Sequence, residues 1–117
     1  MKENKLAELS MDFSVDVINL VKYLKSNHES IISNQIGRSG TSIGANIREA
    51  LRSSSRKEFV AKMNISLKEA YETEYWLELL YKTDYISEKE YNSIFPQCRE
   101  LTNILSQIIL TTKANTR

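Results

Sequence analysis

All three glycines of the 117-residue chain fall within eight positions of one segment: Gly37, Gly40 and Gly44. Apolar residues in this segment recur at the three- and four-residue spacing of an α-helix, from Ile32 to Ile47. A glycine inside a helix costs about 1 kcal/mol relative to alanine. Because small residues allow helix backbones to come close together, the three glycines predict the close approach of another helix in a packed bundle.

The same helical spacing divides the whole chain, including the segment with the glycines, into four helical segments. The predicted helices run from about Lys5 to Lys25, from about Ser30 to Leu51, from a cap at Ser55 to about Lys82, and from a cap at Ser87 onward. Connections of only a few residues place successive helices antiparallel. The sequence therefore predicts an all-α fold, an antiparallel up-down four-helix bundle, as a single domain over residues 1–117.

Three serine–glutamate pairs have the spacing of a capping box, in which the two side chains bind backbone N–H groups at the start of a helix. The pairs are Ser26 with Glu29, Ser55 with Glu58, and Ser87 with Glu90. Pro96 lies inside the last helical pattern, where it predicts a kink or the separation of the first turns.

Charge is nearly balanced overall, with 16 basic and 15 acidic residues. It is uneven along the chain: residues 1–57 carry nine basic and six acidic residues, whereas residues 58–90 carry four and eight. A mildly basic region therefore precedes an acidic helix. The total alone requires neither a nucleic-acid nor a membrane partner.

Several classes of site lack the residues that they need. The chain has one cysteine, Cys98, and one histidine, His28, so we predict no disulfide, no metal site, no cofactor and no catalytic centre. The first residues lack the apolar core of a signal peptide, and no apolar run approaches the length of about 20 residues that spans a bilayer. We therefore predict a cytoplasmic protein that is not an enzyme.

Three parts of the sequence together resemble the 23S rRNA-intervening sequence proteins of bacteria. They are residues 34–59 (NQIGRSGTSIGANIREALRSSSRKEF), the block from Lys68 to Leu77, and the segment from Ile104 to Ile109. The resemblance implies a four-helix bundle that assembles into a homopentamer. The accessory proteins of diversity-generating retroelements, which are related, are basic pentamers that bind nucleic acid, so the resemblance also makes nucleic acid, and structured RNA in particular, a candidate partner.

Five basic residues are the candidates for phosphate contacts. They are Arg38, Arg48, Arg52, Arg56 and Lys57. The arginines at 48, 52 and 56 share one face if the helix persists to Ser55, and crowd one end of the bundle if it breaks at Ser53. The alternative is a solvated surface paired with carboxylates of the third helix.

A second set of residues is assigned to structure or to a subunit interface rather than to chemistry. It comprises Gly37, Gly40, Gly44, Asn46, Glu49, Tyr75 and Trp76. We expect Asn46 and Glu49 to join a hydrogen-bonded network, and the aromatic residues to lie in the core or between subunits. The leading hypothesis is a non-catalytic oligomer that binds nucleic acid, and the alternative is a protein-interaction scaffold without nucleic-acid affinity.

Overall fold

The computed structural model describes residues 2–115, and of Lys2 the backbone alone. Met1 and residues 116–117, the two ends of the predicted domain, lie outside the described residues. Four helices and no strand occur in the described part: α1 (Lys2–Ser26), α2 (Ile31–Leu51), α3 (Arg56–Lys82) and α4 (Glu88–Ala114). Each helix packs against its neighbour in sequence, and α1 also packs against α4. The predicted antiparallel up-down four-helix bundle is confirmed, with extents of 49 × 21 × 19 Å.

Every helix turns one apolar stripe toward a common core. The largest fully buried side chains are Leu6, Phe13, Val17 and Leu24 of α1, Ile36, Ile43 and Ile47 of α2, Met63, Leu77 and Leu80 of α3, and Leu101 and Leu105 of α4. Within each helix these positions are three, four, seven or fourteen residues apart, which keeps them on one face, so the amphipathic pattern of the sequence is the pattern of burial.

The close approach predicted from the glycines is confirmed, and the second helix is α1. A Cβ atom on Gly40 would lie 2.9 Å from both γ-carbons of Val17. The same atom on Gly44 would lie 3.1 Å from Ser10 Oγ, and on Gly37 it would lie 3.3 Å from Val21 Cγ2. The glycines thus remove the side chains that would hold α1 and α2 apart.

Small polar residues join α3 to α2 across the core. The Ser66 hydroxyl donates to the Ile43 carbonyl at 2.8 Å, and the Thr73 hydroxyl donates to Ser39 Oγ at 2.9 Å. No buried side-chain nitrogen or oxygen within the described residues lacks a hydrogen-bond partner. These polar contacts therefore carry no desolvation penalty for an unpaired group.

One of the three predicted capping boxes is present in full. Ser87 accepts from the Glu90 backbone N–H while Glu90 accepts from the Ser87 backbone N–H. At α3 only half of the box forms, because Ser55 accepts from the Glu58 N–H but the Glu58 carboxylate accepts from the Ser54 hydroxyl instead.

The capping box predicted from Ser26 and Glu29 is wrong. The Ser26 hydroxyl turns back to the Tyr23 carbonyl at the end of α1. The buried Glu29 carboxylate alone accepts from the backbone N–H groups of Ile31, Ile32 and Ser33. A glutamate just before the helix can cap it because its longer side chain reaches N–H groups that a serine at position 26 does not approach.

Pro96 does not divide α4, which runs as one helix from Glu88 to Ala114. Proline lacks the N–H that would bond to the Asn92 carbonyl one turn earlier. Asn92 and Pro96 both lie on the exposed side of α4, where water can satisfy that carbonyl. Of the two outcomes that the sequence predicted, a kink or the separation of the first turns, the separation is not observed.

Candidate nucleic-acid interface

Four of the five candidate phosphate-binding residues gather where α2 ends and α3 begins. Helix α2 ends at Leu51 and Arg52 is its C-cap, so Arg56 starts a new helix. Of the two arrangements that the sequence left open, the structure has the one in which the arginines crowd one end of the bundle. We call Arg48, Arg52, Arg56 and Lys57 the basic end.

The basic end leaves most of its positive charge uncompensated. Arg48, Arg52 and Lys57 are exposed, and within the described residues none of their side chains makes an ion pair or hydrogen bond. Arg56 donates to the Asn115 carbonyl at 2.8 Å, which ties α3 to the last turn of α4. That carbonyl is neutral, so the Arg56 guanidinium keeps its full charge. Guanidinium groups in such a position can bind phosphate oxygens in bidentate fashion.

Arg38 lies apart from the basic end and its charge is compensated. Its guanidinium lies 3.0 Å from a Glu69 oxygen and also contacts Glu72. Hydrogen bonds to these two carboxylates raise the pKa of Arg38 above its ordinary value. For this one arginine the structure shows the pairing with α3 carboxylates that was the alternative prediction.

Asn46 and Glu49 do not share a network. The Asn46 amide donates to the Ser42 carbonyl of its own helix at 2.9 Å. Glu49 reaches across to α3, where its carboxylate lies 2.9 Å from Lys62 Nζ and raises the pKa of that amine. Only Glu49 therefore links the two helices, and the pair holds no common ligand site.

Tyr75 and Trp76 are neighbours in sequence with different surroundings. Trp76 is partly buried, and its indole N–H donates to Glu72 at 3.1 Å. Tyr75 contacts the Trp76 ring edge-on, with centroids 5.0 Å apart, but stays 59% exposed. Trp76 packs against the hydrophobic core, whereas Tyr75 belongs to the outer surface of α3.

The sequence reasoning did not identify a second apolar stripe on α1. Met11, Val15 and Ile18 are exposed, although their spacing of four and three residues matches that of a buried face. The signal was present in the sequence as a second helical repeat beside the core repeat, and a count of both faces of helix 1 would have found it.

Beside this stripe the small residues of α1 and α2 leave a depression of about 250 Å³. Ser10 and Ser14 line it from α1, and Thr41, Gly44 and Ala45 line it from α2. A larger groove of about 580 Å³ lies between α1 and α4, with Leu20, Tyr23, Ile86 and Ile94 among its lining residues, and it contains none of the predicted site residues.

Three further observations bear on the classes of function. Across residues 2–115, no group of three or more His, Cys, Asp or Glu side chains is placed to hold a metal ion. Burial raises the pKa of the Cys98 thiol, which donates to the Ala70 carbonyl. In the part of the chain that is described, no helix has an apolar stretch long enough to cross a membrane.

Comparison with known proteins places the chain in a family. The model of the 23S rRNA-intervening sequence protein family matches residues 2–107. Among solved structures, the chain is similar to a protein of unknown function from the S23 ribosomal protein family of Bacteroides thetaiotaomicron, with 51% sequence identity and a TM-score of 0.91 over 93% of this chain and 98% of that one. Among curated proteins, none matches. The chain belongs to the 23S rRNA-intervening sequence protein family.

Proposed function

We propose that this protein is a non-catalytic cytoplasmic homo-oligomer, a pentamer by family resemblance, that binds nucleic acid, with structured RNA as the first candidate. The basic end carries the proposal. Four cationic side chains lie on adjoining helix ends there, and three of them have no partner within the described protomer. An oligomer repeats this cluster, so contacts that are weak singly add up on a long polyanion.

The arrangement favours phosphate contacts over base recognition. The cations of the basic end lie at the end of one helix and the start of the next, rather than along one helix face that would enter a groove. Contacts of this kind position a protein on nucleic acid but carry little sequence information. We therefore expect binding that depends strongly on salt and weakly on sequence.

The test is fluorescence polarisation with labelled structured RNA and duplex DNA at two salt concentrations. Wild-type protein is compared with the double variant Arg52→Glu/Lys57→Glu, which keeps the Arg56 contact with α4 and leaves Arg48, a lining residue of the depression between α1 and α2, unchanged. The matched control is Lys82→Glu/Lys89→Glu, which changes the net charge equally at exposed positions at the opposite end of the bundle. Removing one phosphate interaction makes the slope of log K against log salt shallower by about 0.7–0.9.

We expect the first variant to lose binding and salt dependence while the control retains both. Equal losses in the two variants would mean that net charge, and not the basic end, attracts the nucleic acid. Absence of wild-type binding to either nucleic acid at low salt would overturn the proposal. It would leave the protein-interaction scaffold as the function, which the exposed apolar side chains of α1 and α3 favour.

A further inference from the structure

Among the exposed apolar side chains of the described residues, two groups lie on different helices. The α1 patch consists of Met11, Val15 and Ile18 together with the adjoining depression between α1 and α2. The α3 patch consists of Tyr71 and Tyr75. Helices α1 and α3 are diagonal in the bundle and do not pack against each other within the described residues. The two patches therefore cannot cover one another in one protomer.

The patches differ in shape in a complementary way. The depression of the α1 patch is lined mostly by small residues, among them Ser14, Gly44 and Ala45, together with Met11 and Arg48. Tyr71 and Tyr75 are one helical turn apart on α3 and are 51% and 59% exposed, so they form a ridge. Tyrosine is among the residues most enriched at interfaces, because it has an apolar ring and a polar tip.

The two patches also lie at the same height along the bundle. Gly44 lies against Ser10 of α1, while the preceding residue of α2 accepts from Ser66 of α3. One to two turns away, Gly40 lies against Val17, while the residue before it binds Thr73. Ser10 is thus level with Ser66, and Val17 is level with Thr73. In both pairs the residue number on α3 is 56 higher than the residue number on α1. Since α1 and α3 run in the same direction, Met11 to Ile18 are level with residues 67–74, which include Tyr71 and end one residue before Tyr75.

Two oppositely charged residues, one on α1 and one on α3, also lie at the same height along the bundle. Lys22 follows Ile18 by one turn on α1, and Glu78 follows Tyr75 by three residues on α3. The same offset places these two residues level with one another. Both are exposed, and within the described residues neither makes an ion pair in its own protomer. Two protomers standing side by side would bring opposite charges together at this point.

From these observations we infer that the α1 patch of one copy of this chain binds the α3 patch of the next copy. The inference rests on the oligomer proposed above and specifies the faces that form it. The contact is heterologous, and patches at equal height add no translation along the axis. The depression opens between α1 and α2, so the two patches are less than half a turn apart when the angle is measured over α2. This angle between successive copies closes a ring, with α2 facing its inside, rather than a straight row.

The test uses one exposed substitution in each patch. Val15→Glu disables the α1 patch and leaves the α3 patch intact, whereas Tyr75→Glu does the opposite. Leu110→Glu is the matched control, since Leu110 is 65% exposed on α4 and belongs to neither patch. Masses are measured by light scattering, and circular dichroism verifies that each variant is helical. Met11→Glu and Tyr71→Glu form a second pair if either first variant fails to fold.

We expect each patch variant alone to fall from the fivefold mass of the ring to the mass of one chain, 13.5 kDa, while the control keeps the wild-type mass. An equimolar mixture of the two variants should form dimers of twice the single-chain mass, because each supplies the patch that the other lacks. Patch variants that keep the wild-type mass, or a mixture that stays at the single-chain mass, would overturn the face assignment while the oligomer stands. A wild-type protein at the single-chain mass would overturn both.

Discussion

At Gly40 the fold leaves no room for a side chain. A Cβ atom there would lie 2.9 Å from both γ-carbons of Val17, whose side chain is fully buried and has one strongly preferred rotamer on a helix. At Gly37 the corresponding neighbour is a γ-carbon of Val21, which is only partly buried and lies 3.3 Å away. Three glycines that look equivalent in the sequence therefore differ in how much they constrain the α1–α2 distance.

We predict that Gly40→Ala destabilises the protein by about 1–2 kcal/mol. Overpacking against Val17 costs about 1–3 kcal/mol, and the better helix propensity of alanine recovers up to about 1 kcal/mol. Gly37→Ala is the matched control and should be neutral or stabilising, because its neighbour can shift by a few tenths of an ångström. Chemical denaturation of both variants measures the difference.

A double-mutant cycle separates overpacking from any other effect of the substitution. In a Val17→Ala background both γ-carbons are absent, so Gly40→Ala should no longer destabilise the bundle. Equal losses in the two backgrounds would show that contact with Val17 is not the cause.

For the individual residues of the candidate site, some properties could be predicted from the sequence and others could not. The residue types follow from the sequence, which leaves open whether Arg48, Arg52 and Arg56 share a helix face or crowd one end of the bundle. The pairing of Arg38 with two carboxylates does not follow from it, because it depends on the rotational setting of α2 against α3, which brings residues 31 and 34 positions apart into contact. Whether a basic residue is neutralised depends on the tertiary structure. A list of basic residues taken from the sequence therefore overstates the number of charges that are available to bind phosphate.

At the scale of the elements, helix number, type and order were predictable because the apolar spacing is regular over each of the four helices. Local capping was less so. The serine–glutamate spacing predicted the start of α4 correctly, half of the interaction at α3, and the wrong residue at α2. The pattern fails at α2 because a single buried carboxylate, Glu29, satisfies three backbone N–H groups that the serine does not reach.

We therefore predict that Glu29 rather than a serine stabilises the start of α2. Glu29→Ala leaves the N–H groups of Ile32 and Ser33 without their partner in a buried setting, and should lower the free energy of unfolding by about 2 kcal/mol or more. Ser30→Ala is the matched control, because Ser30 is the N-cap residue but its side chain makes no capping hydrogen bond. It should change the free energy of unfolding by less than about 0.5 kcal/mol.

Thermal and urea unfolding of the two variants test this assignment. A larger loss in Ser30→Ala than in Glu29→Ala would mean that the serine caps the helix in solution. Hydrogen exchange of the first-turn amides of α2 gives an independent readout, since those amides should lose protection in Glu29→Ala before the core does.

In the whole molecule, the interior of the bundle satisfies its own packing and hydrogen bonding, whereas the outer surface does not. Within residues 2–115, no buried side-chain nitrogen or oxygen lacks a hydrogen-bond partner, and the apolar stripes that form the core are covered. The outer surface of the bundle still presents Val15 and Tyr75 on diagonal helices and an uncompensated basic end. The sequence predicts burial inside one chain well, since apolar periodicity reports it. It does not distinguish a face buried by another copy from a face left in water, so the second apolar repeat of α1 is visible in the sequence but its role is not.

If copies of the chain bind through these patches, assembly and stability are coupled, because the oligomer contains only folded protomers. Each tenfold rise in protein concentration should then stabilise a protomer by about 1 kcal/mol, which raises Tm by about 4 °C for a domain of this size. Val15→Glu should have a Tm that does not change with concentration and that equals the wild-type value at high dilution. Leu110→Glu should keep the wild-type dependence. Calorimetry at three concentrations measures all three proteins, and a wild-type Tm independent of concentration would contradict the coupling.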